Sequence, residues 1–71
     1  SMSQNGKLRA WLESHGNGIT TLEASDNLRI CRLSERIREI ERLGFLIDHE
    51  PQRTANGARV IRYKLLRIAY G

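Results

Sequence analysis

The chain has 71 residues, 39% of them hydrophobic and 28% charged, which fits one small folded domain and is too apolar for disorder and too polar for a bilayer span. Its net charge of +4 is unevenly placed: residues 1–50 carry seven Lys and Arg against eight Asp and Glu, whereas residues 51–71 carry five Lys and Arg and no acid. A single cysteine excludes an internal disulfide and suggests a reducing, cytoplasmic setting.

Ser1 reads as a residue left by cloning, with Met2 as the native start and no secretory signal following it. The first helix is expected over Gln4 to His15, where Leu8, Trp11, Leu12 and His15 recur at i, i+3, i+4 and i+7. Trp11 would be the centre of the core. Gly16-Asn17-Gly18 ends that helix, since glycine and asparagine tolerate the left-handed conformation. Thr20-Thr21-Leu22-Glu23 fits a capping box, in which Thr20 and Glu23 satisfy each other's backbone N–H groups. A second helix should therefore run from Thr21 to about Asn27, with Leu22 and Leu28 turned inward.

The third helix carries an apolar stripe of Leu33, Ile37, Ile40 and Leu43 and stops at Gly44. At about 100° per residue, Cys31, Glu35, Arg38 and Arg42 face away from it, with Arg32 and Ser34 at its borders. Arg36 lies nearer the buried flank and reads as structural. Glu35 with Arg38 and Glu39 with Arg42 could pair along the helix. Phe45 to Glu50 then reads as a strand closed by Pro51, and Arg59 to Leu65 as a second, alternating one. Asn56-Gly57 between them signals a hairpin, because both residues accept positive φ. Asp48 and Glu50 would lie across from Lys64 and Arg62 and fix the register. Ile19 can add a minimal third strand. The apolar tail from Leu66 to Gly71 can extend the strand, form a dimer contact or begin a linker.

This order describes an α+β domain, three helices followed by a two-stranded antiparallel wing, over residues 3–66 with a tail or linker at 67–71. Two helices joined by a tight turn let the first brace on phosphates while the second enters a major groove about 12 Å wide. The candidate recognition helix is Arg32 to Leu43. Its base-reading candidates are Arg32 and Arg38, which can grip guanine O6 and N7, then Ser34 and Glu35, with Cys31 beside them. Thr20 and Thr21 open the bracing helix, where hydroxyls and free N–H groups suit a phosphate. The wing, Gln52 to Arg59, offers Arg53, Thr54, Asn56 and Arg59 to the backbone or minor groove.

The strings I-T-T-L-E-A, R-L-S-E-R-I-R-E-I and N-G-A-R-V-I-R-Y, in that order, resemble the small winged helix-turn-helix domains of phages, prophages and related mobile elements. The resemblance covers residues 5–66. It implies double-stranded DNA binding, with Arg32 through Arg38 in the recognition helix and Arg53 to Arg59 in the wing. Two residues depart from the pattern. Arg29 stands where such turns often carry glycine and can contact phosphate, and Cys31 occupies the expected N-cap of the third helix, where Ser or Thr would cap better.

The expected function is sequence-specific binding as a homodimer or in tandem, in a regulator, an excision factor or a replication-origin-binding protein. The rival is a protein-interaction module within a larger replication or recombination protein, suggested by Glu35, Glu39 and Glu41 in the supposed reading helix. His15, Cys31 and His49 lack zinc-site spacing, and there is neither a glycine-rich phosphate loop nor a nucleophile with an oxyanion hole. No catalysis, cofactor, metal, membrane association or small-molecule substrate is expected.

Overall fold

A computed structural model describes residues 2–68, the side chain of Ile68 excepted. The Ser3 hydroxyl accepts from the Gly6 N–H at 3.0 Å and opens α1, Gln4–Ser14. The helix stops at His15, one residue earlier than expected, where the backbone is extended. Leu8 and Leu12 are buried. Trp11 is not the core's centre: it lies at the rim, stacked on exposed His15 at 3.7 Å, with its indole N–H donating 2.9 Å to the Gly18 carbonyl. An indole needs a partner for its N–H, and the loop supplies one only at the edge.

The capping box forms as expected. The Thr20 hydroxyl accepts from the Glu23 N–H at 3.3 Å, and the Glu23 carboxylate accepts from the Thr20 N–H at 3.0 Å. The second helix, α2, is regular only over Thr21–Glu23 and then widens into a π-type turn over Ala24–Leu28. Leu22 is 70% exposed, against expectation. Thr20 and Ala24 are the buried positions, and Leu22 lies about 200° round from Thr20 at helical spacing. Leu28 is half-buried against the core as expected. Its carbonyl receives the Lys7 ammonium at 2.9 Å, tying α1 to the end of the bracing segment. Arg29 then adopts φ 56°, ψ 38°, the left-handed conformation that glycine provides without strain. Arg29 bears the cost of that conformation, at the end of the widened π-type turn.

The third helix, α3, spans Leu33–Arg42. Leu33, Ile37 and Ile40 are buried, but Leu43 is 63% exposed. The helix ends at Arg42 and the chain reverses at Gly44, φ 104°, so Phe45 and not Leu43 continues the core. Asn5 on α1 donates to Glu39 on α3 at 2.9 Å. The expected Glu35–Arg38 and Glu39–Arg42 pairs do not form; Arg36 takes Glu39 at 3.0 Å and Glu35 at 3.7 Å. It is the structural arginine of the helix.

Two antiparallel strands follow, β1 (Phe45–Arg53) and β2 (Arg59–Ile68). Asp48 lies opposite Lys64 and Glu50 opposite Arg62, the register expected from charge. Ile19 pairs with Tyr63 through N–H···O bonds of 2.9 and 2.8 Å, so β2 is flanked on both sides there. Pro51 does not close β1 but sits within it, opposite Ile61. Tyr63 spends its backbone groups on Ile19, which makes His49–Tyr63, and two residues on Pro51–Ile61, pairs without ladder bonds between them. The N–H that Pro51 lacks would have pointed to the open edge. β2 also runs past Leu65 through Leu66 and Arg67; Ala69 to Gly71, the rest of the expected tail, lie outside the described residues.

Candidate nucleic-acid interface

Helix α3 turns one side into the core and leaves Ser34 and Arg38 exposed on the other. Cys31 and Arg32 are exposed just ahead of it. The N-cap is Arg32, not Cys31, and no side chain caps it, so the first-turn N–H groups gain no side-chain partner at the cap. Arg32 is 76% exposed and holds Glu35 only at 3.5 Å. Arg38 makes no ion pair or hydrogen bond among the described residues. The three glutamates of α3 are all engaged within the domain: Glu35 by Arg32 and Arg36, Glu39 by Arg36 and Asn5, and Glu41 by His49 at 2.9 Å.

At the wing, Asn56-Gly57 does not make a two-residue turn. Only Gly57 has positive φ, 87°, and a five-residue loop, Thr54–Ala58, joins the paired Arg53 and Arg59. The loop is held by its own side chains: Thr54 hydroxyl to Asn56 carboxamide, Ala58 N–H to Thr54 hydroxyl at 3.1 Å, and Arg53 guanidinium to the Gly57 carbonyl at 2.9 Å. Arg53 and Arg59 thus face each other across the base of the wing. Like charges in direct register oppose strand pairing; Arg53 is turned to the loop carbonyl of Gly57, whereas Arg59 makes no ion pair or side-chain hydrogen bond among the described residues.

Between the wing and α2 lies an open groove of about 850 Å³, with Thr21 on one wall and Arg53, Arg59, Ile61 and Tyr63 on the other. Thr21 is exposed to it, whereas Thr20 is 8% exposed and its oxygen is committed to the cap. The groove and the outer side of α3 bring Thr21, Arg53 and Arg59 together as one set and Arg32, Ser34 and Arg38 as another. Arg29 is exposed in the turn between α2 and α3.

Arg62 has a role that alternation alone did not reveal. Its guanidinium donates to the Asn17 carbonyl and the Glu23 carboxylate, each at 3.1 Å, and to Gln52 at 3.1 Å. It is the strut between the wing and the start of α2, and Glu23 is shared between the cap and this strut. Partial burial by itself would raise the Glu23 carboxyl, but the Thr20 N–H bond and the Arg62 guanidinium outweigh it and hold it below the ordinary glutamate range. Lys64 is likewise used internally, on Glu50 at 3.1 Å. Of the five basic residues of the C-terminal third, the structure commits Arg62 and Lys64 to the domain itself and turns Arg53 to the Gly57 carbonyl of its own loop.

A family model described as a winged helix-turn-helix domain matches residues 3–67. The chain belongs to the winged helix-turn-helix family. No curated protein and no solved structure matches it. A winged helix-turn-helix domain implies double-stranded DNA as partner and is typically a non-enzymatic module. Among the described residues no three His, Cys, Asp or Glu side chains converge as metal ligands, and no helix is long and apolar enough to cross a membrane.

Proposed function

We propose that this winged helix-turn-helix domain, residues 3–66, reads a specific double-stranded DNA site, with α3 in the major groove and the wing on the backbone or the adjacent minor groove. Arg32 and Arg38 are the first base readers, and Ser34 and Glu35 the second, with Cys31 at the rim of the contact. Arg29, Thr21 and the buried, cap-bound Thr20 lie along the bracing side, and Arg53, Thr54, Asn56 and Arg59 form the wing contact. The observation that supports this best is the Arg53–Arg59 pair. Two guanidiniums held in register weaken a hairpin unless a polyanion screens them.

The rival of a protein-interaction module rested on the acids of α3, and each of the three already has a partner inside the domain; Glu35, the most exposed of them, must release Arg32 and Arg36 to meet a base. A single recognition helix covers only a few base pairs, too few against genomic competitors, so binding is by a homodimer or tandem copies. The resemblance of the three sequence blocks supports a phage or mobile-element regulator, or an origin-binding protein.

The test is anisotropy titration of a random-sequence duplex over a range of salt. Arg53→Ala and Arg59→Ala should each flatten the slope of log K against log[salt] by about 0.9. Arg62→Ala should change thermal stability more than that slope. Equal slopes in wild type and both wing variants would remove the wing from the interface.

A further inference from the structure

At the end of the sheet away from the wing tip, three residues compete for one place. Leu46 pairs with Arg67 and Ile47 with Leu65, with the register slipping between them. Leu66 is therefore an extra residue in β2, a β-bulge that sets Leu66 and Arg67 together opposite Leu46. Strict alternation would have sent Leu66 and Arg67 to opposite faces. The bulge instead gathers Leu46, 43% exposed, Leu66, 65% exposed, and Arg67 on the outer face, away from Ile47 and the core. Asp48 stands two residues along β1 on that same face. Its neighbour Lys64 is taken by Glu50, and among the described residues neither Asp48 nor Arg67 has an ion-pair partner.

We propose that this face, Leu46, Asp48, Leu66 and Arg67, is a homodimer surface whose occupant is the same face of a second copy. A two-fold axis lets one patch serve as its own complement, with each contact made twice. Leu46 and Leu66 meet their counterparts at the axis, and Arg67 of each copy meets Asp48 of the other. The patch carries one cation and one anion, neither of them paired among the described residues, so it complements itself in charge as well as in apolar character. The copies meet face to face and not edge to edge, because Pro51 blunts the open edge of β1. This surface gives the paired binding proposed above its geometry and rests on that reading for its use.

The experiment is sedimentation equilibrium of the chain from micromolar to millimolar concentration, with single-site duplex binding measured on the same samples. Wild type should show a monomer–dimer equilibrium. Leu66→Ser, Asp48→Lys and Arg67→Glu should each raise the dissociation constant by about tenfold or more. The double variant Asp48→Lys with Arg67→Glu should return it toward wild type, which a general loss of folding could not do. Thermal melts confirm that each variant is folded. A wild type that stays monomeric throughout, or a dimer indifferent to all these changes, overturns the surface. Single-site DNA binding that survives in the monomeric variants separates this surface from the DNA reading, and a dimer that binds no DNA would overturn the reading alone.

Discussion

Gly18 is the point at which the wing is joined to the helices, and replacing it tests how that joint works. It has φ +74°, and a Cβ placed there would lie 2.0 Å from the Tyr63 carbonyl oxygen and 2.8 Å from its carbon. The next residue, Ile19, makes both bridging bonds to Tyr63, and the Gly18 carbonyl receives the Trp11 indole. In Gly18→Ala the left-handed backbone costs about 1–2 kcal/mol. Relief of the overlap requires β2 to move away from Ile19, weakening two hydrogen bonds worth about 1 kcal/mol each. The lower entropy of alanine in the unfolded chain returns about 0.5–1 kcal/mol. The net loss is about 2–3 kcal/mol, a large part of the roughly 4–10 kcal/mol that a domain of this size has. Urea unfolding followed by circular dichroism should show a midpoint lower by about 1–3 M. Gly16→Ala is the control: nothing lies within 4 Å of its Cβ, so its midpoint should hold or rise slightly through the same unfolded-chain entropy. If the two variants unfold alike, the close approach of Gly18 to Tyr63 is not what holds the wing.

Arg29→Gly should stabilise the fold by up to about 1 kcal/mol, the relief of its left-handed backbone less the entropy of glycine; thermal melts check this. The same variant should flatten the salt slope of DNA binding by about 0.9 if Arg29 meets a phosphate. Glu23 is held below its ordinary pKa of 4.5, so its stabilising effect is complete above that value and is lost as pH falls through the depressed one. The stability gap between wild type and Glu23→Gln should narrow on acidification below pH 4.5; a widening gap contradicts the strut. Leu8→Ala, at a fully buried position, should cost about 2–5 kcal/mol by equilibrium unfolding.

Local patterns were legible and tertiary ones were not. The Thr20–Glu23 box depends on four consecutive residues, and the register of Asp48 with Lys64 and Glu50 with Arg62 on two short alternations; both stand in the structure. Leu22 and Leu43 looked buried because periodicity says which residues share a face, not where a helix starts and stops. Two residues of helix less or more turn such a leucine out. Pro51 looked like a terminator because its missing N–H is harmless only at an open edge, and that edge is defined by Ile19 pairing on the far side of β2. Arg62 looked like a solvent-facing charge, since nothing in β2 alone tells that Asn17 and Glu23 lie within its reach. For the interface, helical phase turned Arg38 outward as found, but it put Ser34 at the border of the stripe and Glu35 outward, where the structure exposes Ser34 and half-buries Glu35; the groove between Thr21 and the wing arises only from the packed fold.

Selection of bound duplexes from a random library at near-physiological salt, followed by sequencing, asks whether the domain reads bases. We predict an enriched motif with inverted symmetry, in which Arg38→Ala loses preference at a defined position while wing variants weaken all sequences alike. A recovered library without any motif would contradict sequence-specific recognition by α3.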